Sequence, residues 1–125
     1  MTDKRRHHDF AAWKEAMELV TAVYRLTDQF PPTERNGLAA DLRRTVTSVP
    51  SLLAEGSARM TRGGLVTYVD AARGALAQVE TQLAIAYRLE FAPPNADIDQ
   101  RIPHLFEKLA SMIKVLQAEQ ANRKT

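Results

Sequence analysis

The stretch "SVPSLLAEGSAR", Ser48 to Arg59, carries a proline inside a helical stripe. Leu38, Leu42, Val46, Val49 and Leu53 recur at steps of three and four, the spacing that lines up side chains on one face of an α-helix. Pro50 interrupts that run, and a proline costs roughly 3 kcal/mol in a helix interior because it lacks an N–H and crowds the preceding turn. Glu55 and Gly56 follow at once. A stripe that survives such a breaker predicts a helix held by its neighbours. It should run from about Glu34 to Ala58 and bend at Pro50, where the carbonyl of Val46 loses its partner.

Three further segments keep helical time. The first, about Asp9 to Gln29 with Asp9 as N-cap, carries two adjacent stripes: Phe10, Trp13, Met17, Val20, Tyr24, and beside it Ala16, Leu19, Val23, Leu26, Phe30. Together they form a wider apolar face than one neighbouring helix requires. "FPPTERNG" ends it, with Thr33 as the next expected cap. The third segment, Gly64 to Phe91, alternates steps of four and three through Leu65, Val69, Ala72, Leu76, Val79, Leu83 and Ala86, with Gly74 expected at a close helix contact. After "APPNAD", with Asn95 or Asp97 as cap, the fourth reads Ile98, Ile102, Leu105, Leu109, Met112, Leu116, with a kink expected near Pro103. No segment alternates with period two. Short connections and the four-three rhythm predict an all-α, up-down-up-down antiparallel four-helix bundle over residues 9–120. A flexible basic tail (1–8, with Lys4, Arg5, Arg6, His7 and His8) and a disordered tail (121–125) are expected to flank it.

The 125 residues suit one domain, and 45% hydrophobic with 26% charged residues is ordinary for a globular protein. The absence of cysteine excludes disulfides, thiol nucleophiles and zinc-thiolate sites. No apolar run reaches a membrane span and the N-terminus has no signal-peptide core, so a cytoplasmic protein without membrane contact is expected. A net charge of +2 permits weak nucleic-acid binding without demanding it.

Chemical sites are thin. A bundle invites a di-iron reading, but there are no paired Glu-x-x-His motifs, and His104 with Glu107 reads as a surface couple. Ser48 and Ser51 have no histidine nearby, and helical hydroxyls return to carbonyls one turn earlier. The loop "ARMTRGGL" lacks the lysine and hydroxyl of a Walker loop and reads as a solvated turn, with a nonspecific anion site as the alternative. No catalytic residue, metal ligand or cofactor site is expected, and the protein is not expected to be an enzyme. Arg43, Arg44, Arg59 and Arg62 are the candidates for contact with an anion or RNA, with Asp41 and Glu55 opposing them. Glu55 and Arg59 have the favourable i,i+4 order for an ion pair.

These segments resemble the small four-helix-bundle proteins first noticed as products of intervening sequences in bacterial large-subunit ribosomal RNA genes. "FAAWKEAMELVTAVYRLTDQFPPTERNGL" is similar to that family's opening segment. "DLRRTVTSVPSLLAEGSAR" is similar to its central signature, matching at Arg43, Arg44, Ser48, Pro50, Glu55, Gly56 and Arg59. Leu52, Ala75 and Gln78 depart from the usual asparagine, serine and glutamate. The resemblance implies a homo-oligomer, commonly a ring of five bundles, without established enzymatic activity. The Pro50 bend would then shape a subunit contact or a polar end-site. Related accessory proteins of diversity-generating retroelements are more basic and bind reverse transcriptase and RNA. The expected function is therefore an oligomeric scaffold that presents arginines to RNA or a partner protein. The alternative is a nucleic-acid-binding accessory factor acting with a reverse transcriptase.

Overall fold

The computed structural model describes residue 7 and residues 10–124. Four helices form: α1 (Ala11–Thr27), α2 (Leu38–Ser57), α3 (Arg62–Arg88) and α4 (Ala96–Lys124), with a 3-10 turn at Pro32–Glu34 and no strand among the described residues. α1 packs on α2 and α4, and α3 packs on α2 and α4, while the backbones of α1 and α3 do not come close. That is the antiparallel bundle expected, with α1 and α3 on one diagonal. The expected basic tail and the Asp9 cap fall, His7 apart, outside the described residues, and α4 continues to Lys124, past position 120.

The periodic stripes build the core. Leu19, Leu42, Leu53, Leu65, Leu76, Leu83, Ile98, Leu105 and Leu109 are all fully buried, each such side chain contributing about 1.5–3 kcal/mol by leaving water. Small residues interleave them, Ala16, Ala72 and Ala86 among them. Of the two stripes on α1, only Ala16, Leu19, Val23, Leu26 and Phe30 enter this core. The other stays at or near the surface: Met17 is 43% and Tyr24 39% exposed, and Phe10, Trp13 and Val20 only lean against the core.

Helix ends correct several expectations. Thr33 lies within the 3-10 turn; α2 starts after Gly37, and its first amide, Leu38 N–H, donates to Glu34 Oε1 at 3.3 Å. α3 begins earlier than expected because Thr61 accepts from the amide of Gly64 at 3.0 Å and caps it. Asn95 takes the cap of α4, accepting from Ile98 N–H at 2.9 Å. α3 ends with Glu90 at φ 59, the left-handed position where glycine is usual, while Phe91 N–H returns to the carbonyl of Ala86 at 2.9 Å. Pro50 and Pro103 each sit inside a helix that continues past them.

The seam between α1 and α4 is stitched by charge. Arg101 pairs with Glu18 at 2.8 Å, His104 Nε2 lies 2.9 Å from Glu15 Oε1, and Lys108 Nζ is 3.9 Å from Glu15 Oε2. His104 therefore couples to α1, and not to Glu107 as its spacing had suggested.

Candidate functional site

The signature Ser48–Arg59 builds the junction of α2 with α3. Gly56 is the point of closest approach: a Cβ there would stand 2.6 Å from Tyr68 Cβ and 3.1 Å from Leu65 Cδ1. The contact brings Tyr68 alongside α2, and Arg59 covers its ring with the guanidinium 4.6 Å from the centroid. Arg59 is also bonded to the Tyr68 hydroxyl, and Glu55 holds it from one turn earlier at 3.1 Å, the i,i+4 pair expected. Glycine, glutamate and arginine at this spacing thus make a clamp. Gly74, expected at such a contact, has nothing within 4 Å of where its Cβ would be. It lies on the outer surface of α3.

On both sides of Pro50, hydroxyls take up carbonyls within α2. Thr45 donates to Asp41 O, Thr47 to Arg43 O and Arg44 O, Ser48 to Thr45 O at 2.6 Å, and Ser51 to Thr47 O. Ser48 and Ser51 are therefore committed to their own helix, as read from the sequence. Back-bonding of this kind loosens and bends a helix, and Pro50 adds the missing bond to Val46. Pro50 itself is buried.

Arg43 repeats the clamp at the other end of α2. Its Nε donates to Thr27 Oγ1 at 2.8 Å, its Nη2 to Asp28 Oδ1 at 2.7 Å, and its guanidinium lies 4.7 Å from the centre of the Tyr24 ring. Arg44 pairs with Asp41 on the surface. Arg62 crosses to α4 and meets Glu119 at 2.6 Å. The four candidate arginines do not form one patch. Arg43 and Arg59 are sixteen residues apart, about 24 Å along a helix axis, and each of the four already carries a carboxylate of its own chain. Thr27, Asp28, Tyr68 and Glu119 were not singled out from sequence as their partners, and Tyr24 was read only as part of an apolar stripe; all lie nine or more residues away or on other helices, where periodicity gives no signal of pairing.

The surface beside these clamps is uncharged between its ends. Trp13, Met17, Val20 and Tyr24 form an outer ridge on α1, on the side where Arg43 reaches Tyr24 and Thr27. Helical spacing puts Thr47, Ser51 and Ala54 of α2 beside it. At its far end His7 stacks edge-on against Trp13, 5.1 Å between centroids, and lies 3.4 Å from Ser57 Oγ. No group of three or more His, Asp or Glu among the described residues could hold a metal ion, and no helix is long and apolar enough to cross a membrane.

No curated protein matches this chain. A family model, that of the 23S rRNA-intervening sequence protein, matches residues 8–117. The match spans all four helices, the signature clamp and the Phe-Pro turn, and on that breadth the chain belongs to the 23S rRNA-intervening sequence protein family.

Proposed function

We propose that this protein is a non-enzymatic cytoplasmic scaffold that assembles with copies of itself and offers the assembly to a partner. One observation carries the reading: the ridge of Trp13, Met17, Val20 and Tyr24 stays outside the core although it is as apolar as the stripe buried beside it. Contiguous apolar surface of this kind marks an interaction site. A second apolar exposure, Ile85 (42%) and Leu89 (57%), lies at the C-terminal end of α3, diagonally across the bundle. A two-fold contact would cover only one of these faces. A head-to-tail contact joins the two and closes into a ring when the rotation allows. Five copies is the proposed number.

Light scattering behind size exclusion tests this. The expected mass is five times 14.0 kDa, and Met17→Glu, an exposed change that leaves the core intact, is expected to return a folded protein of much smaller mass. A wild-type protein running as a folded monomer at ~10 μM overturns the scaffold reading. RNA contact is the weaker part of the proposal, since Arg43, Arg44, Arg59 and Arg62 all pair within the chain. Binding is expected only at low salt and without sequence preference. Submicromolar, sequence-selective affinity at physiological salt would replace the scaffold by the nucleic-acid-binding accessory factor.

A further inference from the structure

Where α1 ends and α2 begins, the chain shapes a polar, partly open pocket of about 300 Å³. Its walls include Thr27, Asp28, Phe30, Pro31, Arg35 and Arg43. Arg43 enters it already immobilised, its Nε on the buried Thr27 hydroxyl, its Nη2 on Asp28, and its flat face on Tyr24. Those bonds leave the two Nη1 hydrogens without an acceptor among the described residues. Arg35 sits exposed in the same wall and has neither an ion pair nor a side-chain hydrogen bond there.

We propose that this pocket binds a small organic phosphate of the size of a mononucleotide, with the phosphate bridging Arg35 and Nη1 of Arg43. The Nε and Nη2 edge of Arg43, where a carboxylate would make its two-point fork, is already taken by Thr27 and Asp28. A tetrahedral anion has oxygens enough for two guanidiniums approaching from different directions. The volume exceeds that of a bare phosphate and stands at the lower bound of small-molecule sites, about 300 Å³. Phe30, Pro31, Pro32 and Ala39 add apolar wall for an organic body. Asp28 orients the ligand: its carboxylate holds the Nη2 side, so the phosphate takes the Nη1 side, and its repulsion keeps the affinity modest. Because Arg43 is fixed before the ligand arrives, little side-chain freedom is lost on binding. This site is separate from the assembly reading and stands whether or not the chain oligomerises.

Calorimetric titration with AMP, inorganic phosphate and acetate, at low salt, tests it. Saturable AMP binding is expected with a millimolar or better Kd, followed by weaker inorganic phosphate and acetate at least tenfold weaker than AMP. Arg35→Ala removes an exposed side chain, leaves the fold unchanged and is expected to weaken AMP at least tenfold. Arg44→Ala, whose guanidinium pairs with Asp41 outside the pocket, should leave the affinity unchanged. Absence of saturation up to ~50 mM AMP overturns the site. Equal losses in Arg35→Ala and Arg44→Ala overturn it too, since they show general charge attraction. Equal affinity for AMP and inorganic phosphate overturns the organic body.

Discussion

Gly56→Ala is expected to destabilise the protein by about 2 kcal/mol, against a helix propensity that runs the other way. In an open helix the same change gains up to about 1 kcal/mol by restricting the unfolded chain. Here the new methyl would stand 2.6 Å from Tyr68 Cβ, an atom fixed to the α3 backbone, so it cannot be relieved by rotating a side-chain end. The helices must separate, and Leu65 Cδ1 at 3.1 Å must yield with them. Gly74→Ala is the matched control: with nothing within 4 Å, it should stabilise by about 0.5–1 kcal/mol. Denaturant unfolding of both variants at one protein concentration measures the difference. Equal stabilities would show that Gly56 is not the contact point of α2 and α3.

Arg43→Ala should cost about 2 kcal/mol, and Arg44→Ala, its sequence neighbour, no more than about 0.5 kcal/mol. Arg43 loses a charge-assisted bond to Asp28, the bond to the hydroxyl of Thr27, a residue only 4% exposed, and the Tyr24 face. Arg44 is 74% exposed and loses one screened surface pair. Arg43→Lys keeps the charge but not the fork, so most of the loss should remain. Urea midpoints of the three variants check this; indistinguishable Arg43→Ala and Arg44→Ala would remove the clamp.

Helix positions and the core were legible because burial repeats along the chain. Leu38 aside, which is half-buried, the residues of the α2 stripe from Leu42 to Leu53 are all core. The Glu55–Arg59 pair was legible for the same reason, since both partners lie one turn apart. The two glycines were not. Gly74 sits among alanines and looks like a packing position, while Gly56 follows six residues after Pro50, between Glu55 and Ser57, and looks like a stop, and only the position of Tyr68 separates the cases. The arginines were read as a set because they are close in sequence and share a charge. Tertiary contacts divided them between the two ends of α2. Arg35, in a turn with no periodicity, gave no signal at all.

The Glu15, Glu18, Arg101, His104 and Lys108 seam has a consequence for the order of folding. α1 with α2, α2 with α3, and α3 with α4 each close a short loop, whereas Arg101 and Glu18 lie 83 positions apart. Loop-closure entropy makes the distant contact the slowest to be rewarded. Three successive hairpins can form while the circle of helices is still open, and the charged seam joins its first and last members. No connecting turn ties α1 to α4, so the same seam is where the native bundle opens most readily short of global unfolding. Partly exposed partners suit that place: Glu18, Arg101, His104 and Lys108 keep 35–63% of their side chains exposed, so they can find each other late and part briefly.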